Sequence, residues 1–580
     1  MKKLFVPILA ISLLISCNKS TKSNEDKALD AKFDKYKDGF VTSLWKINPG
    51  WASGVGYHKY DSILSIPNAS EEKIQLEFVN AQLDSLKQYD IENLSDNNKT
   101  DFQMIKNQLE ATIFSIKELK LSEWNPSEYN VCGSFAEILN GKYDSLEVRL
   151  RAFSAKLKNV PAYYEAAKKN IKNPTIEHTE LAIAQNLGGS SVFDADLTPV
   201  VQQSKLSDTE KKELLDKAKV AKKAIADYAD WLKNTPNKTP RSFRLGADLY
   251  AKKFNFDIQS SYTADEIFKV ANDHKKDLHD KMFVLADKLW TKYKGNEAKP
   301  TSKLELIKQV IDKISLQHTT PEKFQSEIEK QIPELTAYVK AKDLLYIDPS
   351  KPLVVRKEPA YMAGVAGASI SAPGPYDKNA NTYYNVGSLA GWTPENAESY
   401  LREYNDYILQ ILNIHEAVPG HYTQLVYSNQ SPSIIKSILG NGAMVEGWAV
   451  YAEKMMLESG YKNSDEMWLM YYKWNLRATC NTILDISVHT KNMSKEAAID
   501  LLTKEAFQQQ AEADGKWRRV TLSQVQLCSY FTGYTEIYNL REELKKKEGD
   551  KFNLKKFHEK FLSFGSAPVK YIKELMISKE

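Results

Sequence analysis

Glycine and cysteine are both scarce in this chain, and each scarcity excludes something. With Gly at 24 and Pro at 21 in 580 residues, turn-formers are too thinly spread for a turn-rich β-sandwich, and long helices are favoured. Cysteine occurs at positions 17, 132, 480 and 528 only, too few and too scattered for a disulfide scaffold or a thiolate zinc cluster. Charge of one sign is lacking as well: 79 Lys plus Arg against 75 Asp plus Glu gives a net +4, which leaves no electrostatic footprint for nucleic acid. What the chain does have is an ordinary share of hydrophobic (42%) and charged (27%) residues, with 31 Tyr and 10 Trp among them. That balance excludes a disordered chain and a multi-span membrane protein, and it supplies a large core.

Residues 1–17 read MKKLFVPILAISLLISC: two lysines, an apolar run from Leu4 to Ile15, then Ser16 and Cys17. The run is short of the roughly 20 residues of a spanning helix, and the basic head marks 1–16 as a secretory signal that is removed. Its Leu14-Ile15-Ser16-Cys17 ending resembles the bacterial lipobox, which implies cleavage before Cys17 and lipidation of that residue. Residues 17–30 then form a polar tether, and the body is expected in the bacterial cell envelope, lipid-anchored at the outer membrane or a periplasmic face. Buried acyl chains contribute about 0.8 kcal/mol per CH2, enough for a multiply acylated Cys to hold a soluble body at a bilayer. With Cys17 set aside, at least one of Cys132, Cys480 and Cys528 is expected as a free, buried thiol.

From 31 to 350 the pattern is helical. Ser207 and Glu210 have capping-box spacing, and Leu214, Ala218, Ala221, Ile225, Tyr228 and Leu232 follow at steps of three and four until Asn234-Thr235-Pro236-Asn237. Similar spacing recurs around 70–120, 143–170, 265–295 and 303–345. Periodicity fails after Pro352, where Leu353-Val354-Val355 and Thr382-Tyr383-Tyr384-Asn385-Val386 lie among glycines and prolines, so a small sheet or extended loop is expected there. Helix resumes near Pro394, with breaks expected near Gly440, Gly460 and Gly515. The division is therefore a helical part over 31–350 and a second part over 351–580.

The second part carries the chemistry. Ile414-His415-Glu416-Ala417-Val418-Pro419-Gly420-His421 has the His-Glu start and later His that zinc hydrolases use, imidazoles for the metal and the adjacent carboxylate as general base. The two His are six apart, about 240° around an ideal helix, so a straight helix would point them away from each other. Pro419-Gly420 supplies a place for a bulge. A catalytic zinc needs a third protein ligand, and Val445-Glu446-Gly447-Trp448-Ala449-Val450-Tyr451-Ala452-Glu453 offers two carboxylates. They are about 10 Å apart along one helix face, too far for one ion to take both easily. Glu446 is assigned as ligand and Glu453 to support of the ligands or to substrate binding.

The strings HEAVPGH and EGWAVYAE together resemble the bacterial Domain of Unknown Function 885 family, whose members look like gluzincin metallopeptidases. The resemblance extends to Pro49–His58, to Lys357-Glu358-Pro359-Ala360-Tyr361, to Tyr384-Asn385, to Arg477, Asp485 and His489, to Tyr530-Phe531-Thr532-Gly533, and to Phe557-His558. It departs at Tyr422, where the family usually has a second His, and at Gln524-Val525-Gln526-Leu527, where it tends to have Pro-Gly-Gln-Ala.

The expected fold is mainly α: a multi-helical, zincin-like metallopeptidase with a substrate cleft between the two parts and a small β element before the zinc helix. The expected cofactor is one Zn2+ per chain on His415, His421 and Glu446. Glu416 is the expected general base, Tyr530 a hydrogen-bond donor to a tetrahedral oxyanion, and His489 a further catalytic residue, with Asp485, four residues away on one face, expected to orient it or to add a polar group to the cleft. Tyr384, Asn385 and Gln526 are candidates for substrate contact, whereas Arg518 and Arg519 read as solvated surface charge. Met455-Met456-Leu457 reads as core packing and Lys545–Lys547 as a solvated helix end. The expected partners are a peptide substrate and, through the anchor, a membrane, with no nucleic acid. Two other readings remain open: a zinc hydrolase of another amide or ester, and a non-enzymatic tethered binding protein with structural zinc.

Overall fold

Helical periodicity becomes helix almost wherever it occurs. A computed structural model describes residues 24–235, 237–359, 368–377 and 381–577. The signal 1–16, Cys17 with the head of its tether, and Ala360-Tyr361 lie outside these residues. α1 (Asp208–Asn234) starts with both halves of its capping box bonded, Ser207 with Glu210, and buries Leu214, Ala218, Ala221, Ile225, Tyr228 and Leu232. The stretch at 70–120 resolves into Ala69–Leu86 and Asp96–Phe114, and the one at 303–345 into Lys303–Ile314 and Phe324–Ala341. Between them run α2 (Ala247–Ile258) and the long α3 (Ala264–Lys294), which opens on a second capping box, Thr263 with Glu266.

Where periodicity fails, three short strands form: β1 (Leu353–Lys357), β2 (Ala368–Ser371) and β3 (Thr382–Val386). β3 is central, parallel to β1 and antiparallel to β2. Helix resumes at Pro394–Glu403 and continues through α4 (Asp406–Glu416), α5 (His421–Asn429), α6 (Gly442–Glu458), α7 (Asp465–Thr490), α8 (Gln510–Leu522) and α9 (Cys528–Glu548). The chain breaks at Gly440 and Gly460 as expected but not at Gly515, which lies inside α8. A lone glycine costs a helix only about 1 kcal/mol, and the burial of Ala513, Lys516 and Val520 keeps α8 continuous.

Two apolar clusters hold the helices. The larger runs from Phe33 to Ile572 and draws on both sides of position 350, whereas the smaller is confined to Tyr129–Leu232. Met455, Met456 and Leu457 are core, Lys545–Lys547 an exposed last turn, and Cys132, Cys480 and Cys528 are all free and buried. Among the described residues no helix is long and apolar enough to cross a membrane.

Candidate metal centre

α4 is capped by Asn405, whose side chain accepts from the Tyr407 and Ile408 amides, and it buries every residue from Ile408 to His415. A helix with no solvated face lies inside the protein, so its last residues, His415 and Glu416, arrive in the interior. The chain does not bulge through the Pro-Gly pair, as spacing alone suggested; it stops and restarts. Ala417 leaves helical space at φ −108° and ψ −90°, the Val418–Pro419 peptide is cis, and α5 begins at His421. Two helices meeting at a corner free His421 from the period of α4 and turn both imidazoles toward one point. A Cβ on Gly420 would stand 1.9 Å from the His415 carbonyl oxygen, so the corner closes only around glycine. Trp448 of α6 pins it by donating its indole N–H to the Pro419 carbonyl oxygen at 2.9 Å.

α6 brings the carboxylates. Its backbone passes very close to α9: a Cβ on Gly447 would lie 2.3 Å from the Gly533 carbonyl carbon, and one on Gly533 would lie 1.7 Å from the Ala443 carbonyl oxygen. This contact sets Glu446 and Tyr530 on neighbouring elements around the same imidazoles. Glu446 Oε2 stands 3.7 Å from His415 Nε2 and 3.3 Å from His421 Nε2. On the far side of the His415 ring, Nδ1 lies 2.7 Å from Glu453 Oε1, which also accepts the Trp474 indole N–H at 2.9 Å. The two carboxylates of α6 thus share one imidazole, each facing a different nitrogen. Burial pushes the His415 pKa down, but the carboxylates of Glu446 and Glu453 on its two sides outweigh it and hold it up at about 10. For Glu446, burial is likewise outweighed by the two imidazoles, which hold its carboxyl far below the usual range.

The ligand atoms of His415, His421 and Glu446 all lie within 4.8 Å of one another. A tetrahedral zinc with bonds of about 2.0–2.1 Å keeps its ligand atoms about 3.3 Å apart, close to the two separations above. Donor set and spacing therefore fit a single zinc ion with three protein ligands and a fourth position open. Glu453, against His415 Nδ1, stands where a carboxylate would fix the ring and tautomer of a ligating His. Glu416 is partly exposed and makes no hydrogen bond or ion pair among the described residues; burial raises its carboxyl, opposed by His421 and His415.

The other candidates divide in two. Tyr530 stacks beside His415 with ring centroids 6.4 Å apart, and Arg519 donates to its hydroxyl oxygen at 2.9 Å and to Gln526 Oε1 at 2.7 Å. Burial, with the Glu446 charge nearby, pushes the Tyr530 hydroxyl up to about 12, so it stays protonated. Asp485 and His489 are not brought to this group by any hydrogen bond. Asp485 accepts from the Tyr250 hydroxyl at 2.6 Å and the Val525 amide at 2.9 Å, while His489 Nε2 lies 2.9 Å from the Val520 carbonyl oxygen. Both hold the chain that leads into α9. Tyr384 and Asn385 are fully buried: Tyr384 donates to Asn413 Oδ1 at 2.8 Å and Asn385 accepts from Arg356 Nε at 2.7 Å. They fasten β3 to α4 and β1 and present nothing to a ligand.

Two residues of this neighbourhood carried no sequence signal. Trp474 belongs to no motif, and its role exists only because α7 passes Glu453. Arg519 reads as half of a surface pair, yet Arg518 is exposed and Arg519 is not. The apolar period of α8, with Ala513, Lys516 and Val520 buried, is the pattern that separates them.

The family model described as "bacterial protein of unknown function (DUF885)" matches residues 49–576. The chain belongs to this family. Among solved structures it is similar to one described as a "putative lipoprotein of unknown function" from Shewanella oneidensis, at 52% identity and TM-score 0.84 over 94% of this chain and 99% of that one. A second, a "putative lipoprotein" from Colwellia psychrerythraea, is 16% identical with TM-score 0.74 over 95% of this chain and 98% of that one, a likeness of fold alone. No curated protein matches the chain.

Proposed function

We propose that this protein is a zinc-dependent peptidase of the cell envelope, tethered by lipid on Cys17. The tether is supported by the Leu14-Ile15-Ser16-Cys17 string and by the description of the Shewanella oneidensis relative. The observation that carries the activity is the convergence of His415, His421 and Glu446, backed by Glu453 and flanked by an uncommitted Glu416. His415, His421 and Glu446 would hold the zinc, which when bound would lower the pKa of a water toward about 7 and polarise a scissile carbonyl. Glu416 takes the proton of the attacking water and returns it to the leaving amine, so a C–N bond breaks as a C–O bond forms. Tyr530 donates its O–H to the carbonyl oxygen as charge develops. Arg519 donates to the same hydroxyl oxygen and holds the phenol beside His415.

Glu416→Gln tests the assignment. It is expected to keep its zinc and to lose peptide hydrolysis by about 100-fold or more, measured on a peptide library run beside an ester panel. A Glu416→Gln protein that cleaves peptides at the wild-type rate would overturn the reading.

A further inference from the structure

Four cations lie close together beside this centre, and three have a carboxylate. Lys473 meets Glu403 at 2.8 Å, Arg477 meets Glu512 at 2.6 Å, and Lys516 stands 3.7 Å from the same Glu512. Arg519, one turn beyond Lys516, has no carboxylate partner among the described residues. Nη2 spends its N–H groups on two neutral acceptors, Gln526 Oε1 at 2.7 Å and Tyr530 Oη at 2.9 Å. The N–H groups on Nε and Nη1 have no acceptor among the described residues, and the side chain still reaches solvent. Desolvation opposes its charge, but the nearby Tyr530 and Glu446 more than offset this and keep the guanidinium charged. The nearby carboxylates act on it only at a distance, and the donors on Nε and Nη1, on a partly exposed side chain, remain for a ligand.

We infer that these donors take a carboxylate of the substrate. This rests on the peptidase reading and names the substrate class: peptides carrying a carboxylate just beyond the scissile bond. Arg519 is one hydrogen bond from Tyr530, whose ring is 6.4 Å from that of His415. Two residues of extended chain, at up to about 3.5 Å each, cover that ring separation. A free C-terminal carboxylate at Arg519 would place the second peptide bond from the end at the metal site, giving cleavage from the carboxy terminus. An acidic side chain would satisfy the same guanidinium and give internal cleavage beside acidic residues.

The test is calorimetric binding to zinc-loaded Glu416→Gln protein of three peptides of one backbone: the free acid, its C-terminal amide, and the amide with an acidic residue next to the end. The free acid is expected to bind about 10- to 100-fold more tightly than the plain amide, the range of a charge-assisted hydrogen bond. Adding Arg519→Gln is expected to abolish that ratio at unchanged zinc content, and Arg519→Lys to restore part of it. If the acidic amide binds as tightly as the free acid and also depends on Arg519, the carboxylate proposal stands with a side chain as its source. Acid and amide binding within about threefold of each other, or an Arg519→Gln change that weakens both equally, would overturn it. Wild-type protein that cleaves no peptide while this acid preference persists would sink the peptidase reading alone, and cleavage without the preference would sink this one alone.

Discussion

One imidazole explains why α6 carries two acids seven residues apart on its inner face. Glu446 and Glu453 are too far apart to bind the same ion, but the His415 ring bridges the gap, with Nε2 toward the first and Nδ1 toward the second. Removing the Glu453 charge leaves all three proposed ligands in place and loosens only the ring. Glu453→Gln is therefore expected to weaken zinc about 10- to 100-fold, read by competition with a chelator, while Trp474→Phe, which removes the other donor to Glu453, produces a smaller change. At this scale the sequence is legible where chemistry and spacing coincide, as in His415, Glu416, His421 and Glu446. It is illegible where a role depends on which element passes by. Asp485 and His489 look functional by their four-residue spacing but serve the chain before α9, and Arg519 looks solvated but lies against Tyr530.

The site is shaped by two junctions between elements. At the corner between α4 and α5, the six-residue spacing that argues against a shared face on one helix becomes irrelevant once His421 starts a helix of its own. Composition marked that junction through Pro419-Gly420, but the choice of a full stop over a bulge is made by packing, including the Trp448 bond to Pro419. At the crossing of α6 and α9, glycines at 447 and 533 let the backbones touch. Gly533→Ala is expected to destabilise the protein by about 3 kcal/mol in denaturant melts and to lower zinc affinity with it, because the same crossing seats Glu446. Gly515→Ala is the control: a Cβ there meets nothing within 4 Å, so the substitution is expected to stabilise by up to about 1 kcal/mol. The capping box of α1 shows the opposite case, an element whose start, face and end are all local and so are read correctly from sequence.

Over the whole molecule, the large cluster joins helices from near both ends of the chain, and several histidines are buried or half-buried in the fold. His558 is fully buried between the Leu344 carbonyl oxygen and the Tyr451 hydroxyl, and burial pushes its pKa down to about 4. His178, His274 and His279 are lowered by the same cause. Each is neutral when folded and takes a proton more readily once unfolded, so unfolding binds protons between the folded value and about 6.5. Stability of the metal-free protein is thus expected to fall as pH drops from about 6.5 toward 4, by about 3 kcal/mol for His558 alone. His558→Gln is expected to flatten that part of the profile in melts from pH 4 to 7.

The account as a whole stands on zinc. The most direct measurement is the metal content, by plasma mass spectrometry, of mature protein purified without added metal, beside His421→Ala and Glu446→Ala. About one zinc per wild-type chain is expected, with both variants nearly empty. Wild-type protein that neither carries zinc nor takes it up, or variants loaded as fully as the wild type, would contradict it.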